Sequence, residues 1–190
     1  QKHMVWEGYN NAIKTLSADL YAKNFHFLYE IIQNADDNSY HSGIEPKLVL
    51  SLKEVILEGK KEFCLIISNN ETGFNSDNVK AICSVGSSTK KTNFDSIGEK
   101  GIGFKSVFRI TDCPYIFSNE FAFKLPAKNP DHEHGLGFIT PFPVIETNLQ
   151  REMTTEIYLP LSRDINIDTV KDQLLNINQS TILFLRKLKI

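Results

Sequence analysis

Glu30, Asn34 and Asp37 lie at i, i+4 and i+7 within the stretch 24–40, so a helix there projects all three from one face. Asp36 does not share that face. A carboxylate beside an amide oxygen is the pair needed to activate a water and to hold a hard cation. In this reading Glu30 is a general base and Asn34 an oxygen ligand to Mg²⁺, which keeps most of its waters and takes one or two protein oxygens plus phosphate oxygens. The solvated side of an ordinary amphipathic helix carries the same pattern. A second stretch, Gly98-Glu99-Lys100-Gly101-Ile102-Gly103-Phe104-Lys105-Ser106, sets glycines ahead of the apolar residues Val107, Phe108 and Ile110. Backbone without Cβ approaches a ligand closely, and a helix starting near Gly103 aims unpaired N–H groups and a positive dipole end at the loop. That is an anion site, most simply for phosphate. A tight turn leading into a helix looks the same.

The familiar phosphate motifs do not fit. A P-loop needs lysine directly after its last glycine and a buried strand before the loop; here Phe104 intervenes and the polar stretch Gly86–Asn93 precedes. A dinucleotide fingerprint needs a third glycine where Ser106 stands. No H-R-D or D-F-G equivalent supports a protein kinase. The stretch Gly86–Asn93, rich in hydroxyls and lysine, reads either as a lid over the glycine loop or as a surface loop. Asp131-His132-Glu133-His134 reads as solvated loop in preference to a metal cluster, since no further ligand lies at a set spacing.

The elements that must position these residues follow from apolar periodicity. Val5–Leu20 is helical by spacing, and 24–40 is a helix with the stripe Phe27, Leu28, Ile31, Ile32 and Ala35. Lys47–Leu57 is β-like with a hairpin around Glu58-Gly59-Lys60-Lys61, and Phe63–Ile67 is a central strand buried on both faces. That strand ends in Ser68-Asn69-Asn70-Glu71-Thr72-Gly73-Phe74, a polar loop of the kind that forms ligand sites or a plain β-to-α turn. Ser76 or Asp77 is expected to cap a short helix, Gly103–Thr111 to form another, and Asp168 to cap the last. Cys113–Ser118 and Phe121–Leu125 form a hairpin turning at Asn119-Glu120. Residues 136–147, with Pro141 and Pro143, suit an edge strand or an irregular crossing, and Thr154–Leu161 is a further strand. Strands do not alternate with long helices, so the expectation is an α+β domain, a two-layer α/β sandwich rather than a doubly wound sheet.

A chain of 190 residues with 41% hydrophobic content and 13 Phe can build one core and is most simply a single domain over 1–190. The pattern still runs at Lys189-Ile190, which leads to the expectation of a piece of a longer multidomain protein. No apolar run reaches membrane-span length. A formal net charge of -2 and a pI near 6.2 argue against nucleic acid as the main partner. Cys64, Cys83 and Cys113 lack zinc spacing; Cys64 and Cys83 read as buried thiols suited to an intracellular, cytoplasmic or nuclear setting.

Four blocks occur in order: Glu30-Ile31-Ile32-Gln33-Asn34-Ala35-Asp36-Asp37, Asn69–Gly73, Gly98-x-x-Gly101-x-Gly103-Phe104, and the strand opening at Thr155. Together they resemble the gyrase B, heat-shock chaperone, histidine kinase and MutL (GHKL) ATPase superfamily over roughly residues 20–161. The wording of the blocks is most similar to its sacsin-like and plant NO VEIN-like branch. The resemblance implies the Bergerat fold, with a mixed, mostly antiparallel sheet and helices on one face. It implies ATP and Mg²⁺ as cofactors, Glu30 as the residue that activates water, Asn34 as the Mg²⁺ ligand, and Asp37 beside adenine or ribose. Asn69 stands where the family carries an aspartate that accepts from adenine, Glu71 where it carries a first glycine, and Gly73 at the second. Thr155 supports adenine, with Thr154 in place of a preceding glycine. Gly98, Gly101 and Gly103 cradle phosphates, with Ile102 and Phe104 in the same loop, and Ser88 and Thr89 belong to the lid. The implied function is slow ATP hydrolysis coupled to lid closure and to ATP-dependent dimerisation or client remodelling. The alternative is a nucleotide-sensing interaction module with little or no turnover.

Overall fold

The computed structural model describes residues 26–84, 102–127, 138–144, 149–177 and 185–188. The expected helix Val5–Leu20, the stretch Gly86–Gly101 and Asp131–His134 lie outside them. Helix α1 is described over 26–37. It is followed by β1 (Leu48–Leu57), β2 (Lys60–Asn69), α2 (Ser76–Ile82), α3 (Ile102–Lys105) with a 3-10 turn over Ser106–Arg109, β3 (Tyr115–Ser118), β4 (Phe121–Lys124), β5 (Phe142–Pro143), β6 (Thr155–Pro160) and α4 (Ile167–Leu175). The chain is α+β, with a six-stranded sheet in the order β1-β2-β6-β3-β4-β5. Among the described residues each pairing is antiparallel, where a mixed, mostly antiparallel sheet was expected. Among the described residues no helix is long and apolar enough to cross a membrane.

The sheet is sorted by strand alternation. Leu65 and Ile67 of β2, Ile157 and Leu159 of β6, Ile116 of β3 and Phe123 of β4 point to one face. There they meet Phe27, Leu28 and Ile31 of α1, Ile82 of α2, Phe104, Val107 and Val170 of α4. The alternate residues Cys64, Ile66, Phe117 and Tyr158 form a second buried cluster, joined by Val144 and Leu149. The central strand is therefore buried on both faces, as its unbroken apolar run requires. Burial pushes the Cys64 thiol up to about 12, whereas Cys83 at the end of α2 is only partly covered. Glu156, the one carboxylate inside β6, has both oxygens in use: Oε1 accepts from the N–H of Glu152 (2.9 Å) and Met153 (3.2 Å), and Oε2 from Tyr158 Oη (2.6 Å).

The β1–β2 hairpin turns on Glu58 (φ 48) and Gly59 (φ 76), the left-handed pair that a two-residue connection needs. Glu58 tolerates that conformation with its carboxylate held by Tyr115 Oη (3.0 Å) and by Lys124. Two caps differ from expectation. Asn75, not Ser76 or Asp77, caps α2: its side chain accepts from the N–H of Asp77 and Asn78 while the Asn78 side chain accepts from the Asn75 N–H. Asn166, not Asp168, caps α4, accepting from the N–H of Asp168 and Thr169. Both asparagines are extended at the position whose side chain reaches the orphan donors. The expected helix Gly103–Thr111 is one α turn followed by a 3-10 turn. Phe104, Val107 and Ile110 are all buried at a spacing of three, which a 3-10 turn stacks on one side.

Asp36, off the polar face of α1, is only 4% exposed. Its carboxylate accepts from the backbone N–H of Arg186 (2.9 Å), Lys187 (2.7 Å) and Leu188 (2.9 Å). Lys187 Nζ meets the carbonyls of Asp37 (3.3 Å) and Asn38 (2.6 Å), covering the end of α1. Leu188 is buried against Ile32 and Ala35. Burial pushes the Asp36 carboxyl up, but the three N–H groups and the Arg186 charge outweigh it and hold the carboxyl below its ordinary 3.8. Asp36→Ala is expected to cost about 3 kcal/mol by leaving these donors unpaired. A folded value below the unfolded one contributes stability that is complete above about pH 4 and lost as pH falls through the folded value. Denaturation followed from pH 6 to pH 2 should therefore show a steeper acid loss in the wild type than in Asp36→Asn.

Candidate functional site

The register places a polar row across one end of an otherwise apolar sheet face. Asn69 at the end of β2 pairs with Thr155 at the start of β6, and Thr155 pairs with Ser118 at the end of β3. Asn69 also pairs with Leu48 of β1. Asn69, Thr155 and Ser118 are all buried. The Ser118 and Thr155 hydroxyls are hydrogen-bonded to each other, and Ser118 Oγ also accepts from the Phe74 N–H (2.8 Å).

Above this row lies a cavity of about 120 Å³, far more than the ~10–15 Å³ that one water needs. Helix α1 lines it with Ile31, Asn34 and Ala35, and Asn38 just past its end continues the stripe at i, i+3, i+4 and i+7. Ile67, Asn69, Glu71 and Phe74 line it from β2 and the loop that follows, and Asn78, Ala81 and Ile82 from α2. Phe104 closes it from α3, and Thr155 and Ile157 from β6. The lining is mostly apolar with amide, hydroxyl and carboxylate groups among it, the make-up of a small-molecule site.

The loop after β2 is built to hold that shape. Asn70 is fixed on both sides of its amide: Oδ1 accepts from the Lys47 N–H (2.7 Å) and Nδ2 donates to Glu45 O (2.9 Å). The Thr72 N–H donates to Ser39 O (2.9 Å). Gly73 has φ 88. Asn119 Nδ2 donates to the carbonyls on either side of it, Thr72 O and Phe74 O, both at 3.2 Å. A Cβ on Gly73 would sit 2.4 Å from Asn119 Cγ, so the glycine is required by conformation and by contact. At Asn69, Oδ1 accepts from the Glu71 N–H (2.7 Å) and Nδ2 donates to Tyr40 Oη (3.0 Å), whose own proton goes to Ala35 O (2.6 Å). Burial, aided by the Glu71 and Asp36 charges, holds the Tyr40 phenol above its ordinary range, so it remains a donor.

Of the residues expected at the site, Asn34, Asn69, Phe104 and Thr155 line one cavity. Glu30 and Asp37 flank Asn34 on the same side of α1, beside the lining stripe rather than in it. The Glu30 side chain is 41% exposed with His26 Nδ1 4.0 Å away, and Asp37 is paired with Arg186. Gly73 shapes the loop. Gly103 lies in the first turn of α3 with Ile102. Ser88, Thr89, Gly98 and Gly101 lie outside the described residues. Lys105 Nζ donates to Ile82 O and Phe138 O. Burial holds the ammonium below its ordinary range, opposed by the nearby Cys83. Sequence reasoning passed over Tyr40, Ser118, Asn38 and Asn78. Asn38 carries a signal, lying one helical turn beyond Asn34; the others join through register and caps.

Residues 7–134 match the family described as SACS, Sacsin domain. The chain belongs to the sacsin domain family. It is 44% identical over 130 residues to Protein NO VEIN of Arabidopsis thaliana, covering 68% of this chain and 4% of that protein. It is 34% identical over 98 residues to human Sacsin, covering 48% of this chain and 2% of that protein. The sacsin domain here thus spans a few per cent of the length of these curated relatives. The matched region contains α1, the loop after β2 and Phe104, whereas Thr155, like all residues after 134, lies beyond it.

Gly73→Ala is expected to destabilise the domain by about 2 kcal/mol through left-handed strain and the Asn119 clash. In the Asn119→Ala background the clash is gone, so the cost should fall by at least half. Denaturation of the four members of this double-mutant cycle measures the coupling; additive costs would show that Asn119 does not confine Gly73.

Proposed function

We propose that this sacsin domain is a GHKL-type nucleotide module with a Bergerat-like two-layer α/β sandwich, which binds ATP with Mg²⁺ and hydrolyses it slowly. The observation that supports this best is the convergence of Asn34, Asn69, Phe104 and Thr155, from four separate elements, on one cavity. The donor set suits the group. Apolar walls from Ile31, Leu48, Ile67, Ile82 and Ile157 accept an aromatic ring, and the amide and hydroxyl of Asn69 and Thr155 meet its polar edge. Asn34 would supply one oxygen to Mg²⁺, which neutralises phosphate charge when bound. Glu30, one turn before Asn34, would orient and deprotonate the attacking water. The loop Gly98–Gly103, with Ile102, would hold phosphates through its backbone, because Lys105 is committed to Ile82 O and Phe138 O. In this reading Ser88 and Thr89 belong to a lid whose closure drives dimerisation or client remodelling. ATP and ADP are its small partners, and protein clients, further domains of the same chain and a second copy its macromolecular ones. Cytoplasm or nucleus supplies the nucleotide.

A second reading, a nucleotide-sensing module without useful turnover, draws support from Glu30 standing outside the cavity lining and from the neutral amide of Asn69. Calorimetry with ATP and ADP, with and without Mg²⁺, followed by phosphate release, separates the two. Glu30→Ala is expected to retain ATP affinity and lose turnover at least about 100-fold, whereas Asn34→Ala should lose the Mg²⁺-dependent part of affinity. ATP binding without phosphate release in the wild type selects the sensing module, and no binding at millimolar ATP overturns both. Lys105→Met is expected to lower stability by about 1–3 kcal/mol, by leaving two carbonyls unpaired, with ATP affinity unchanged within about twofold. A collapse in affinity would put Lys105 on the phosphates.

A further inference from the structure

Helix α1 is held from two sides near its end. On one side Ala35 lines the cavity, with Asn38 just past the helix and Leu48 of β1 in the same lining. On the other side lies the segment 185–188. Asp36, only 4% exposed and absent from the lining, collects the N–H groups of Arg186, Lys187 and Leu188. Leu188 is buried in one cluster with Ile32 and Ala35, and Leu48 and Leu185 pack against that cluster. Lys187 Nζ donates to the carbonyl of Asn38 at 2.6 Å. The segment therefore backs the wall that Ala35, Asn38 and Leu48 present to the cavity. From Ala35 the contacts run on: its carbonyl accepts from Tyr40 Oη at 2.6 Å, and Tyr40 Oη accepts from Asn69 Nδ2 at 3.0 Å. Asn69 Oδ1 accepts from the Glu71 N–H, which carries the connection to the loop after β2.

We propose that Asp36 is a positioning residue for the cavity: the segment it holds fixes the wall formed by Ala35, Asn38 and Leu48, so that seating of residues 185–188 and filling of the cavity favour each other. The identity of the ligand rests on the nucleotide reading; the coupling itself does not. The segment has two discrete states because Asp36 allows no halfway one. With some donors withdrawn and the rest of the segment still covering it, the carboxylate would be buried and underpaired, the costliest arrangement. Once the segment is released, the carboxylate meets water, Leu188 leaves Ala35 unbacked and the last carbonyls of α1 lose Lys187. A close-packed interior passes such a displacement on rather than absorbing it. A ligand that touches Ala35, Asn38 and Leu48 binds the seated state better, because only there are all three fixed. Linkage then requires the converse, that the ligand holds the segment down by the same factor.

Calorimetry and amide exchange on the intact domain, with ATP and Mg²⁺ as the probe, test this. Asp36→Asn should weaken ATP binding at least about fivefold. Lys187→Pro, which removes one donor and leaves Asp36 in place, should do the same, and the double variant should lose little more than either single one. In the wild type, ATP should slow exchange of the Lys187 and Leu188 N–H groups at least about fivefold. Unchanged affinity in both variants overturns the proposal, as does exchange of these two N–H groups that ignores bound ATP; the second result needs no variant to fold. Failure of the wild type to bind ATP overturns the nucleotide reading, and the coupling is then decided without ligand. In Asp36→Asn the Asn38 and Glu71 N–H groups should exchange faster by a larger factor than that of Ile116 in β3, which reports opening of the whole fold. Equal factors make Asp36 a general stabiliser and overturn the proposal.

Discussion

Burying polar groups at one end of an apolar sheet face is the constraint on which this domain depends. Asn69, Thr155 and Ser118 sit side by side on three neighbouring strands, inside the boundary where helices cover the sheet. An unpaired amide or hydroxyl there would cost about 1–3 kcal/mol. Among the described residues no buried side-chain nitrogen or oxygen lacks a partner. The partners are supplied by chain that has no regular structure of its own. The Phe74 N–H serves Ser118, the Glu71 N–H serves Asn69, and Tyr40 bridges to α1. The loop after β2 is thereby drawn tight over the sheet end, and the cavity is the space left between that loop and α1.

What the sequence made legible was local. The stripe Phe27, Leu28, Ile31, Ile32 and Ala35 is a helix because its period is helical, and the apolar run Phe63–Ile67 is a doubly covered strand because it does not alternate. Glu58-Gly59 is a turn because of the chemistry of its two residues. The caps went wrong by one or two residues because Asn, Ser and Asp compete for the same task, and only backbone conformation decides between them. The site was legible as residue types. Its assembly was not, because register between β2, β6 and β3 joins residues far apart in sequence. Where the Lys105 ammonium goes was not legible, because no local pattern couples it to the carbonyls of Ile82 and Phe138 that hold it.

Asn69 shows how the choice of an amide over a carboxylate spreads. A carboxylate at that position would accept through either oxygen and carry charge. An amide halves the acceptors and adds two N–H donors, one of which goes to Tyr40. Tyr40 and the Glu71 backbone together absorb that change, one at each end of the same side chain. Gly73 and Asn119 solve a separate problem a few residues on: a left-handed backbone turned through a gap just wide enough for hydrogen.

The capture of residues 186–188 by Asp36 has a mechanical meaning. Three backbone N–H groups on one buried carboxylate, with Lys187 on the end of α1 and Leu188 beneath it, form an anchorage between sequence-distant parts of the chain. A pull on residues 186–188 would reach α1 through the Asp36 carboxylate as well as along the backbone. The helix that would take that load is the one whose Asn34 lines the cavity.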